Sequence, residues 1–236
     1  MRCFLTGLVI ILSMTTVGQA AIVAVSFTKL TGVTGGSPAG TAVYVADLTG
    51  TGIDIQSIRI RDNSFGLGGA AGQFSGFDLD AIKLSNTLVG DAAGAQSLAG
   101  LAVFDFSPAG TVFSPGTQRV PIDPKLFGTD ASGNRVDNAV ATLGAFGGNS
   151  TTAIPGAFGF VSMGDGGILG FNLTSQLSTS GLYLYIGEVG DNGEVAAGSI
   201  EVSNEVIPAV PERTTLIIWS LLAGLGMGLR RWRKCA

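Results

Sequence analysis

The chain has 236 residues, of which 46% are hydrophobic and only 13% charged, against roughly 25% charged in an ordinary soluble domain. It contains no histidine, and its two cysteines, Cys3 and Cys235, sit at the extreme ends. Between residues 21 and 210 there are therefore no imidazole or thiolate metal ligands, no Cys or His nucleophile and no disulfide framework. That stretch carries 7 basic and 16 acidic residues, a net charge of −9, so it repels phosphate backbones and excludes nucleic-acid binding.

The first twenty residues have the order of a secretory signal peptide. Arg2 supplies the positive start, an apolar run follows from Phe4 to Met14, and Gly18 and Ala20 are the small residues before a cleavage point at Ala20–Ala21. Residues 1–20 are thus expected to be removed on export by Sec-type machinery. Residues 21–203 are expected to form the mature domain.

Within that domain, short apolar runs alternate with clusters of Gly, Asn, Asp, Pro and Ser. Glycine is more than twice its usual share of about 7%, at 37 residues, and follows no Gly-X-Y period. This is the pattern of strands joined by tight turns, and it predicts an all-β sandwich or jelly roll. The expected strands are 22–30, 41–47, 53–61, 77–84, 101–106, 157–161, 168–173, 182–188 and 196–203.

Two of these strands carry further detail. In 53–61 the alternation changes phase, with Ile53 and Ile55 on one face and Ile58 and Ile60 on the other. A β-bulge near Gln56–Ser57 reconciles them. In 182–188, Leu182, Leu184 and Ile186 are expected to face the core, with Tyr183 and Tyr185 opposite. Tyr183 and Tyr185 suit packing better than sugar stacking. The alanine-rich stretch 92–102 is interrupted by glycines, which argues against a helix.

Gly66-Leu67-Gly68-Gly69-Ala70-Ala71 partly matches a dinucleotide fingerprint, but a strand rather than a helix is expected to follow, so it reads as a loop. Residues 130–137 superficially resemble a calcium loop. Arg135 occupies the position where such a loop needs glycine and no flanking helices are expected, so a polar turn is the better reading. The strongest local candidate is Phe77-Asp78-Leu79-Asp80-Ala81-Ile82. On a strand, Asp78 and Asp80 share one face, while Phe77, Leu79 and Ala81 share the other. Two such carboxylates can hold a hard cation such as Ca²⁺ with help from nearby Asp62 and Asn63, or form a polar edge facing solvent. No catalytic residue and no certain cofactor is identifiable.

Residues 204–209 read as a spacer. Val210-Pro211-Glu212-Arg213 follows, then 16 uncharged residues to Leu229, then Arg230, Arg231, Trp232, Arg233 and Lys234. A helix of that length spans about 24 Å, and the basic cluster would hold its end in the cytoplasm.

This order of parts in residues 210–236 resembles the PEP-CTERM sorting signal, whose members end in a short Pro-Glu-Pro motif, one apolar helix and a basic cluster. Pro211 and Glu212 match the motif, Arg213 stands where its second proline would be, and Arg230, Arg231, Arg233 and Lys234 supply the basic anchor. The resemblance implies an exosortase-like processing enzyme, transient anchoring in the inner membrane of a Gram-negative cell, and delivery to the envelope surface or beyond. It also implies a structural role associated with exopolysaccharide and biofilm. The segments 76–82, 164–168 and 182–203 look similar to other ectodomains of that class, which implies a β-sandwich. A plain tail anchor, a carbohydrate- or calcium-binding adhesion module and a secreted hydrolase using carboxylates remain as alternatives.

Overall fold

A computed structural model describes residues 20–35, 40–64, 66–149, 156–193 and 200–208. Among these residues the chain is all-β, with ten strands in two antiparallel sheets and two short α-helices. No helix among them is long and apolar enough to cross a membrane. The expected signal peptide up to residue 19 and the expected sorting tail, 210–236, lie outside the described residues.

The strands are β1 (Ile22–Ala24), β2 (Thr28–Lys29), β3 (Thr41–Asp47), β4 (Asp54–Arg61), β5 (Asp78–Ser85), β6 (Thr111–Ser114), β7 (Val161–Ser162), β8 (Ile168–Ser178), β9 (Tyr183–Val189) and β10 (Ile200–Ser203). The first sheet has the order β1-β10-β4-β8-β6, and the second β2-β3-β9-β5-β7. From β3 to β10 every successive strand joins the opposite sheet, so most neighbours within a sheet are distant in sequence. The inward residues of both sheets fill one core: Ile55, Ile58 and Ile60 of β4, Leu169 and Phe171 of β8, Leu79, Ile82 and Leu84 of β5, Leu184 and Ile186 of β9.

The phase change in β4 is resolved as expected. Its register against β8 shifts between Ile55 and Ser57, which turns Ile55, Ile58 and Ile60 onto one face. A second bulge lies in β5, between Leu79 and Ile82. It moves Ala81 away from Leu79 and into a separate cluster with Leu30, Val43, Ala92, Ala95, Phe146 and Tyr185. Strict alternation had placed Leu79 and Ala81 together, and the extra residue is what parts them. Tyr185 faces this outer cluster and is fully buried, its hydroxyl donating to the Thr87 carbonyl at 2.8 Å and accepting from the Val89 N–H at 3.0 Å.

Other boundaries differ from the sequence reading. The expected strand 22–30 divides into β1 and β2, which join different sheets. Residues 101–106 make a single bridge, Phe104 to Leu173, because Asp105 turns the chain by accepting the Ser107 N–H at 2.9 Å. Phe104 and Phe106 stack at 5.5 Å and both meet Phe171 edge-on, so they contribute to the core without a ladder. β6 takes the sheet-edge place instead.

Helix α1 (Ala92–Ser97) forms despite Gly94. Asp91 caps it, accepting the Gly94 N–H at 2.6 Å. Lys83, reaching out from β5, closes the other end by donating to the carbonyls of Ala95, Gln96 and Leu98 at 3.1–3.3 Å. Its ammonium also lies 4.9 Å from the Phe146 ring centre. Tertiary contacts thus override a poor intrinsic propensity. Lys83→Met keeps the apolar stem but strands three carbonyls, and unfolding in urea should show a loss of about 1–3 kcal/mol. Unchanged stability would contradict the role assigned to Lys83.

Candidate functional site

The acidic residues singled out in the sequence are interior groups. All eight residues of β5 are buried, Asp78 and Asp80 among them. The polar edge facing solvent is therefore not what this strand presents. Asp78 and Asp80 do share a face, as alternation requires. That face lies on the side of the second sheet away from the main core and is roofed by loops.

Each carboxylate is committed to protein donors. Asp78 Oδ1 accepts from the Ser162 hydroxyl on β7, the residue paired with it across the strands. Asp80 Oδ2 accepts from the Thr41 hydroxyl at 2.6 Å, and its Oδ1 accepts the N–H groups of Gly147 and Gly148 at 3.1 and 2.9 Å. Asp80 is thus the post on which the 146–148 loop rests. Glycine is needed at position 148, because a Cβ there would lie 2.8 Å from Val189 Cγ2 and 3.1 Å from Asp80 Cγ.

Asp62 lies near Asp78 but is bonded to different partners. Its Oδ1 accepts from the Ser64 hydroxyl at 2.6 Å and the Phe77 N–H at 2.8 Å, and its Oδ2 accepts the Gly166 N–H at 2.8 Å. It ties the end of β4 to the start of β5 and to the turn before β8. Among the described residues no group of three or more His, Cys, Asp or Glu side chains is placed to hold a metal ion. N–H and O–H donors aimed at a carboxylate occupy the directions that a cation bound by oxygen ligands would need.

Glu188 is the residue that sequence reasoning underweighted. The same period that sends Leu182, Leu184 and Ile186 inward sends Glu188 inward too, opposite Leu79 of β5 and Ala42 of β3. It is 1% exposed, and neither carboxyl oxygen has a hydrogen-bond partner among the described residues. It therefore lies on the core side of the sheet, while Asp78 and Asp80 lie on the other. The signal was the uninterrupted alternation itself.

Burial raises the pKa of all three. Asp78 is pushed up to about 8, chiefly by desolvation, against the pull of the Ser162 hydroxyl and the Arg119 charge. Glu188 also rises to about 8, by desolvation first and then by the charges of Asp78 and Asp191. Asp80 rises less, to about 6, because desolvation is opposed by Thr41, Gly147 and Gly148. Glu188 therefore keeps its proton to higher pH than an ordinary carboxylic acid.

The remaining motifs are structural turns. Gly66, Gly68 and Gly69 adopt left-handed backbone, and the loop runs through a turn of 3₁₀ helix into β5, with no α-helix at its end. Arg119 holds the loop by donating to the carbonyls of Gly68 and Leu67 while pairing with both oxygens of Asp165. In 130–137, Asp130 accepts from Ser132 N and Oγ at 3.0 and 2.7 Å, and Thr129 bridges Val136. The turn is polar as expected, although a four-residue helix, α2 (Asn138–Ala141), does follow it, capped by Asp137. Among the described residues, one cleft beside Ser57 and Ile207 and another beside Lys83 and Phe104 each measure about 160 Å³, below the roughly 300–1,000 Å³ of most small-molecule sites.

The raised carboxyl groups fix a direction for pH dependence. In the unfolded chain these acids ionise near their ordinary values, around pH 4, whereas in the fold they keep their protons to about 6 or 8. The folded state binds more protons across that window, so stability falls as pH rises through it. Urea midpoints should drop between about pH 5 and about pH 8.5. Glu188→Gln should raise the midpoint at the higher pH more than at the lower, and an equal loss at both would contradict a buried neutral acid.

No protein-family model, no curated protein and no solved structure matches the chain.

Proposed function

We propose that this chain is an exported, non-enzymatic surface or matrix protein: a β-sandwich of jelly-roll type carried between a removable signal peptide and a PEP-CTERM-like sorting tail. The observation that carries the reading is where the domain begins and ends. Ala21, the expected first mature residue, donates its N–H to the Asn204 side chain at 2.8 Å, and the Asn204 N–H points back at the Ala21 carbonyl at 3.4 Å. Beside them β1 pairs with β10, Ile22 opposite Ser203. Residue 21 and residue 204 therefore lie side by side at the edge of one self-contained unit. Such a unit can hang from a membrane by either end without disturbing its core.

The interior chemistry agrees with a scaffold. Asp62 and Asp80 anchor loops, Asp78 is bonded to Ser162 of β7, and Lys83 closes a helix. A secreted hydrolase would need two carboxylates flanking an accessible cleft, and the raised acids here are all buried, Asp78 and Asp80 on one side of a sheet and Glu188 on the other. A role beside exopolysaccharide follows from the resemblance of residues 210–236 to the sorting signal. Export would pass through Sec-type machinery, and an exosortase-like enzyme would release the chain from the inner membrane.

Terminal peptides and intact mass of the protein recovered from envelope and medium test this directly. The expected chain starts at Ala21 and ends within Val210–Arg213. A chain that still ends at Ala236 in the inner membrane would establish a plain tail anchor and overturn the sorting reading.

A further inference from the structure

The segment expected to be a free spacer is docked. After β10 the chain turns across the outer face of the first sheet, passing over β4 and then β8. Ser57 of β4 donates its hydroxyl to the Glu205 carbonyl at 2.6 Å. Asn172 of β8, paired with Ser57 across the strands, uses its whole side-chain amide on one residue. Its Nδ2 donates to the Ile207 carbonyl at 2.9 Å, and its Oδ1 accepts the Ile207 N–H at 2.7 Å.

The Ile207 side chain is half-buried, whereas Glu205, Val206 and Pro208 are exposed. It rests over Gly170, the next outward-facing position of β8, where an added Cβ would lie 2.5 Å from Ile207 Cδ1. Two outward polar side chains and one missing side chain thus form a clamp for an extended peptide, and its occupant is the chain's own segment 204–208.

The clamp limits what lies beyond it. Pro211 is four residues past Ile207, a reach of at most roughly 14 Å at about 3.5 Å per residue. Were the clamp open, the last held residue would be Asn204, tied to Ala21, and the reach would grow to roughly 25 Å. A protease that binds its substrate as an added strand needs the backbone groups just before the scissile bond. Those of Ile207 are already taken by Asn172.

We infer that the Asn172–Ile207 clamp is a brake on tail removal, which must open before the processing enzyme can engage Val210-Pro211-Glu212. This rests on the reading of residues 210–236 as a sorting tail. Asn172 is accordingly a positioning residue that acts on the cleavage through Ile207.

Two variants open the clamp independently: Asn172→Ala removes the amide, and Gly170→Val displaces the Ile207 side chain with Asn172 intact. The full chain in detergent micelles is treated with a glutamate-specific endoprotease, and cleavage after Glu205 is timed by mass spectrometry. Loss of two hydrogen bonds should speed it roughly tenfold, while cleavage after Glu201, inside β10, stays slow and certifies the fold. In source cells the same variants should lose the tail faster than the wild-type chain in a pulse-chase. Unchanged cleavage after Glu205 would show that no clamp operates. Faster cleavage there with unchanged tail removal would overturn the brake while leaving the sorting reading intact. If every chain, wild type included, still ends at Ala236, the sorting reading itself fails, and the brake with it.

Discussion

Strand β5 has no solvent face, and most of the domain's unusual chemistry follows from that constraint. Leu79, Ile82 and Leu84 fill the core on one side, while Asp78, Asp80, Lys83 and Ser85 are shut in on the other. A polar side chain enclosed in this way is costly unless it finds partners. Each buried charge on β5 finds them in backbone or hydroxyl groups of the covering segments. Asp80 holds the 146–148 loop, Asp78 meets β7, and Lys83 gathers the last carbonyls of α1. The roof over the second sheet is therefore fastened by directional polar bonds from the strand beneath it, as well as by the apolar contacts of Tyr185, Phe146 and their neighbours.

Glu188 is the exception that sharpens the rule. It faces the main core from the adjacent strand, and its carboxyl group has no hydrogen-bond partner among the described residues. The N–H groups of Asp191 and Asn192 favour its ionised form without offsetting desolvation. A neutral acid can occupy such a place where a carboxylate could not.

Much of the architecture was legible because alternation has a fixed period. β3 has the bounds its apolar run suggested, and the four isoleucines from 53 to 60 could share a core only through a bulge. The bulge in β5 was not legible, since Ala81 is small enough to fit either face and leaves no contradiction in the pattern. Residues 101–106 resembled a strand because Leu101, Val103, Phe104 and Phe106 all pack against the core. The turn at Asp105 shows in its hydrogen bond rather than in hydropathy. Helix α1 depends on Lys83, nine residues earlier in the chain, which no local propensity contains. The acids were found as residues but placed wrongly against solvent: alternation identifies a shared face and says nothing of what covers it. The docking of 204–208 depends on Asn172 and Gly170, more than thirty residues away, so a short polar stretch read as a spacer.

The topology joins these features to the chain's ends. Because successive strands from β3 onward alternate between sheets, the first sheet is completed only when β10 enters between β1 and β4. The pairing of Ala21 with Asn204 accompanies that same event, and residues 205–207 are then held against β4 and β8.

The central claim is that the buried carboxylates serve the fold by binding its own loops. It is tested most directly by the melting temperature of the full chain in detergent micelles, with chelator and with millimolar calcium. A ligand that binds only the folded state must raise that temperature. If Asp78 and Asp80 are loop anchors, the two curves coincide. A rise with calcium that is lost on Asp80→Asn would contradict the account and make β5 a cation site.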